Sequence, residues 1–253
     1  MEPDVLKKLA GKYKVPVGTM EKDYAITILL SVISNFSELS WMVFKGGTAI
    51  KKIYYPETRF SEDLDFTCTK DISKNLADTI KMAIKDGLDV DFKGIDKEPT
   101  RKDSRKFSIN YNDHNGHPNS VRIDLSLREE AVGKINEKPM LHVYDLGKKF
   151  SIPTMSLGEI AAEKIRAIIY SVRPRHLYDF WYLTGKGISF DPDLVRAKIK
   201  NVYKEEFNIE KLKHSIQRME KRWKTDLDPF LPSFPPFQDV SGTVIKVIEG
   251  SMK

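Results

Sequence analysis

Apolar residues along the chain repeat with two different periods. Residues 24–36 carry Ile26, Ile28, Leu29, Leu30, Val32, Ile33 and Phe36, which predicts an apolar helix. Glu21 and Asp23 stand just ahead of it, where carboxylates suit the positive end of a helix. Trp41-Met42-Val43-Phe44 is a short apolar run stopped by Gly46-Gly47 and predicts a buried strand. Residues 48–55 then form a short helix ended by Pro56. Over residues 60–67 the period becomes two. Asp63 and Asp65 share one face of this strand, while Leu64, Phe66 and Cys68 take the other. A helix over 72–85 ends at Gly87, and strands are expected at 88–93, 106–111 and 120–127. Residues 112–119, rich in Asn, Asp, Gly and Pro, join the last two as a hairpin.

From Ser156 the period is helical. Ser156-Leu157-Gly158-Glu159 has the form of a capping box, with Ser156 as N-cap. Further helices are expected at 175–183, 193–203, 209–223 and 240–252, with a proline-rich extended stretch at 228–238. The fold class is α+β. A mixed-sheet domain over 1–150 precedes a C-terminal helical bundle over 151–253.

Composition narrows the setting. Among 253 residues, 42 Lys and Arg face 36 Asp and Glu, giving a net charge of +6 that suits an anionic partner such as RNA or a nucleotide. A single cysteine excludes an internal disulfide. The polar N-terminus has no apolar signal core, and no apolar run approaches the ~20 residues that span a bilayer. A cytoplasmic protein is expected, with no membrane partner.

The chemistry centres on Asp63-Leu64-Asp65. Residues two apart on a strand project to one side, roughly 6–7 Å apart, and two carboxylates so placed suit a hard cation such as Mg²⁺. In isolation this pattern is more often a solvated strand face. Lys45-Gly46-Gly47-Thr48 lies just upstream, at a strand-to-helix turn. Glycines let backbone approach phosphate closely, and a helix N-terminus favours an anion. Asp124 shares its strand face with Arg122 and Ser126 and is a third carboxylate candidate, for a metal or for a nearby cation. Lys164 interrupts an apolar helix face and must either snorkel outward or find an anion. Asp179 stands among Tyr178, Phe180, Trp181 and Tyr182, either paired, with Arg175 in reach one turn away, or lining a cleft. His114 and His117 lack ligand partners at zinc spacing. Cys68 falls on an apolar face, and Trp41, Trp181 and Trp223 read as core.

Phe44-Lys45-Gly46-Gly47-Thr48, followed by Arg59-Phe60-Ser61-Glu62-Asp63-Leu64-Asp65-Phe66, resembles the AbiEii/AbiGii toxin family of the DNA polymerase β-like nucleotidyltransferase superfamily. Glu159-Ile160-Ala161-Ala162-Glu163-Lys164 resembles that family's lysine-bearing helix. Arg175-His176-Leu177-Tyr178-Asp179 resembles its Arg-Asp-Leu-Tyr-Asp signature, with His176 where Asp is common. The resemblance covers roughly residues 20–185.

It implies a mixed-sheet nucleotidyltransferase core and transfer of a nucleoside monophosphate from an NTP. It implies Mg²⁺, or Mn²⁺, at Asp63 and Asp65, with Asp124 as the less secure third ligand. Gly46, Gly47, Thr48, Lys51 and Ser61 would bind the nucleotide. Lys164 and Asp179 would complete the catalytic set from the helical half, closing an active-site cleft. It further implies an RNA acceptor such as tRNA and a cognate antitoxin, as in toxin–antitoxin or phage-defence systems. A nucleotide- or partner-binding module that no longer turns over, or AMP transfer to a protein, are the alternatives.

Overall fold

The computed structural model describes residues 1–99, 102–147 and 149–252. The chain forms two compact units, Met1–Met155 and Ser156–Lys253.

The first unit is built on a five-stranded mixed sheet. Its strands are β1 (Met42–Lys45), β2 (Asp63–Cys68), β3 (Phe92–Lys97), β4 (Ser104–Asn112) and β5 (Pro118–Ser126), in the order β1-β2-β5-β4-β3. β2 and β5 are parallel and the other pairings antiparallel. Alternation sorts the side chains as the sequence requires. Leu64, Phe66, Ile109, Val121, Ile123 and Leu125 are buried, while Asp63, Asp65 and Asp124 stay half-exposed on the other face. The free edge of β1 is covered by residues 153–155. The Phe44 amide donates to Pro153 O at 2.7 Å, and the Met155 amide to Phe44 O at 2.9 Å.

The N-terminal helices differ from the sequence reading. α1 (Pro3–Tyr13) forms where only a polar stretch was seen, because Leu6 and Ala10 alone anchor it. α2 runs Val17–Ile33, seven residues earlier than its apolar period begins. Glu21 and Asp23 are therefore buried within the helix rather than placed at its end. Each finds a partner across the fold. Asp23 Oδ2 takes a salt bridge from Lys52 Nζ at 2.6 Å and a hydrogen bond from Tyr144 OH at 2.7 Å. Glu21 Oε1 meets His114 Nδ1 at 2.5 Å. These pairings let a helix be buried nearly all round although it carries charges. α3 (Gly46–Ala49) is one turn that widens into a π-turn over Ile50–Tyr54. α4 spans Ser73–Asp86. β3 begins four residues later than expected, and its register with β4 shifts between Phe92 and Gly94, a bulge at a glycine with φ of 156°.

The second unit is helical: α5 (Leu157–Ser171), α6 (Pro174–Gly185), α7 (Pro192–Tyr203), α8 (Ile209–Met219), α9 (Trp223–Leu227) and α10 (Phe237–Ser251). α5 packs on α6, α7 and α8, and α10 packs on α6 and α8. Ile160, Ile165, Ile168, Leu177, Phe180, Ile199 and Val244 form its core. The single helix expected over 209–223 ends at Met219, where a 3₁₀ turn over Glu220–Arg222 leads into α9. Among the described residues no helix is long and apolar enough to cross a membrane.

Candidate active site

The β1-to-α3 turn and the Asp-x-Asp strand are neighbours before any tertiary packing is considered, because β1 and β2 pair and Lys45 lies opposite Asp65. Gly46 has φ of 81°, the left-handed region that glycine alone enters at little cost. A Cβ at Gly46 would collide with Asp65 Oδ2. One at Gly47 would come within 2.5 Å of the Arg59 guanidinium and 3.2 Å of Ser61 Oγ. Both glycines are thus fixed by close approach. The turn lies against a carboxylate on one side and against a guanidinium and a hydroxyl on the other. Arg59 is buried, and its Nη1 donates to Phe60 O at 2.9 Å. Its motif was visible in the sequence, but its closeness to Gly47 was not.

Thr48 is buried and its hydroxyl donates to the Asp63 carbonyl at 2.5 Å. It was expected to face a phosphate; in this fold it fixes the start of β2 instead. Lys51, expected at the phosphates, donates to Pro56 O at 2.9 Å and Thr58 O at 3.0 Å, and its ammonium lies 3.8 Å from the centre of the Phe60 ring. Lys51 therefore holds the loop that carries Arg59 and Ser61. Burial lowers its pKa to about 8, against the raising influence of Asp23.

Asp124 is level with Asp65 on the adjacent strand. Its oxygens are both engaged, Oδ1 by Ser104 Oγ at 2.9 Å and Oδ2 by Lys106 Nζ at 2.5 Å. Lys106 is its cross-strand partner on β4, so the sheet register supplies the counter-ion. Of the two readings left open by the sequence, the structure shows the ion pair. Among the described residues no three His, Cys, Asp or Glu side chains form a metal-binding group. Asp63 and Asp65 offer two carboxylates, the protein share usual for Mg²⁺ that completes its shell with water and substrate phosphate.

In the helical unit Lys164 and Asp179, fifteen residues apart, form a buried salt bridge of 2.6 Å from α5 to α6. Asp179 thus pairs with Lys164, and the Arg175 guanidinium lies 5.3 Å from the Phe230 ring. The Ser156 cap is present, its Oγ accepting the Glu159 amide at 3.4 Å. The Glu159 carboxylate also meets the buried Lys198 Nζ at 2.8 Å, a pair the sequence reading missed because Lys198 lies on an otherwise unremarkable helix. Burial pushes the Cys68 thiol up to about 12, which leaves it unreactive. Trp41, expected in the core, is exposed beneath Lys70, whose ammonium is 4.1 Å from its ring.

A glycine turn that follows the edge strand β1 and presses against the adjacent Asp-x-Asp strand β2 is the arrangement of a nucleotidyltransferase core. The chain belongs to the nucleotidyl transferase AbiEii toxin family of type IV toxin–antitoxin systems, whose model matches residues 28–242. Its fold is similar to that of MenT4, the nucleotidyltransferase toxin Rv2826c of Mycobacterium tuberculosis H37Rv, with TM-score 0.64 and 16% identity over 100% of this chain and 99% of that one. It is also similar to JHP933 from Helicobacter pylori, with TM-score 0.59 and 18% identity over 94% of each chain. No curated protein matches it. The protein is a nucleotidyltransferase, and its family implies an NTP substrate and a cognate antitoxin.

Proposed function

We propose that this enzyme transfers a nucleoside monophosphate from an NTP to RNA, with tRNA as the acceptor, and that the cognate antitoxin silences it. The observation that carries the reading is the close approach of Gly46 to Asp65. It puts a side-chain-free backbone turn, able to receive phosphate, directly beside a carboxylate able to hold its counter-ion.

In this reading Asp63 and Asp65 hold Mg²⁺ or Mn²⁺. The metal, when bound, neutralises phosphate charge and lowers the pKa of a coordinated hydroxyl. The chain's own groups do the rest. Gly46 and Gly47 let the triphosphate approach the backbone, and Ser61 adds a hydroxyl donor. Thr48 and Lys51 act one step back, fixing β2 and the 56–60 loop. Lys164 has its catalytic part from the family resemblance alone. An ammonium has three donors, so its bond to Asp179 leaves others to offer. Asp179 is then a positioning residue. The net charge of +6 favours a polyanionic acceptor over a neutral one.

Incubation with α-labelled NTPs, Mg²⁺ and total RNA tests the acceptor. Label should enter an RNase-sensitive product of tRNA size. Label in a protease-sensitive product would transfer the assignment to a protein acceptor. Nucleotide binding with no pyrophosphate release from any of the four NTPs would make the chain a binding module.

A further inference from the structure

A cavity in the first unit shares no residue with the glycine turn or the Asp-x-Asp strand. It has a volume of about 190 Å³ and is lined by Met1 and α1, by α2, by residues 89–91 ahead of β3, by the end of β4 and by Asp113 and His114 just after it. That is room for about six waters, or for a small organic molecule. Two of its lining groups are buried and unsatisfied. Glu21 is 6% exposed and Tyr111 is 2% exposed, yet Glu21 Oε2 and Tyr111 OH have no hydrogen-bond partner.

The imbalance at Glu21 is specific. Oε1 meets both the His114 amide, at 2.9 Å, and His114 Nδ1, at 2.5 Å, while Oε2 meets nothing. The other carboxylates of the lining are already matched. Asp89 accepts from the Met1 ammonium at 2.8 Å and from Tyr24 OH. Asp91 pairs with Lys93 at 2.6 Å, and Asp113 accepts two backbone amides at 2.8 Å each. Glu21 Oε2 is a carboxylate oxygen and accepts, so it calls for a donor, preferably charged, while the Tyr111 hydroxyl can accept from the same group. Buried polar groups without partners are costly, so a ligand that meets both stabilises the folded state.

The acidic lining excludes an anion, and an apolar ligand would leave both atoms unpaired. A metal ion is disfavoured too, since the neighbouring carboxylates Asp89, Asp91 and Asp113 are already paired and leave Glu21 as a lone carboxylate ligand. We infer that this cavity binds a small organic cation through a primary ammonium or guanidinium group. The group donates to Glu21 Oε2 and Tyr111 OH.

Calorimetric titration of the full chain with putrescine and with agmatine tests this. Choline serves as a control of equal charge per head group that has no N–H to donate. Saturable binding of putrescine or agmatine is expected, with choline failing to bind. Glu21→Gln should weaken binding by at least about tenfold, the loss of a charge-assisted bond. Tyr111→Phe, which keeps the ring and the packing, should weaken it several-fold and serves as the decisive variant if circular dichroism shows Glu21→Gln unfolded. Absence of binding at millimolar ligand, equal binding of choline, or unchanged affinity in a folded Tyr111→Phe and Glu21→Gln pair would overturn the assignment. NTP turnover is read separately and stands or falls without it.

Discussion

At Gly46, two constraints coincide: a left-handed backbone and a neighbouring carboxylate with no room for a Cβ. Gly46→Ala should therefore cost about 1–3 kcal/mol in urea-denaturation stability and displace Asp65. A change below a few tenths would show that the turn relaxes freely. Asp124 offers the sharper discrimination. Both its oxygens are committed to Ser104 and Lys106, so Asp124→Asn should leave transfer within a few-fold of wild type; a loss as deep as that of an Asp65 variant would restore it as a metal ligand. Lys51 carries a pH signature. Its folded pKa is lowered from the ordinary 10.5 to about 8, so between pH 8 and 10.5 the unfolded chain holds more protons on this group than the folded one. Its contribution to stability therefore rises with pH across that window and is unfavourable below it. Unfolding midpoints from pH 8 to 10 should rise more steeply for wild type than for Lys51→Met; parallel profiles would contradict the assignment. At this scale the sequence exposed the groups but not their partners. Asp63 and Asp65 were legible from strand alternation. Asp23 with Lys52, and Glu159 with Lys198, were not, since each pair joins elements whose proximity only the fold supplies.

Elements with a strong period were readable, and those set by tertiary contacts were not. β2 and β5 declare themselves by alternation, and α5 by its cap and apolar stripe. α1 has only two buried anchors, β3 is offset by a glycine bulge, and α2 starts before its apolar run because Asp23 and Glu21 find counter-groups elsewhere. Between α5 and α6 the decisive contact is the buried Lys164–Asp179 bridge. Removing one partner strands the other charge, so Asp179→Leu should destabilise by about 3–5 kcal/mol. Lys164→Met with Asp179→Leu should recover most of that loss in thermal or urea unfolding. A double variant as unstable as the single one would mean that packing rather than charge compensation governs this junction.

For the molecule as a whole, the α+β class was legible because the period changes from mixed to purely helical along the chain. The family was legible because its motifs are local: a turn, a strand and two helix signatures. The acceptor was not, since charge of +6 describes an anionic partner without choosing one. The central claim is nucleotidyl transfer built on Asp63 and Asp65. Its most direct test is Mg²⁺-dependent transfer of label from NTP to RNA by wild type and by Asp63→Asn, with folding of both checked by circular dichroism. Transfer by wild type, abolished by omitting the metal and reduced at least about 10²–10³-fold in a folded Asp63→Asn, is the predicted result. Undiminished transfer by Asp63→Asn would contradict it.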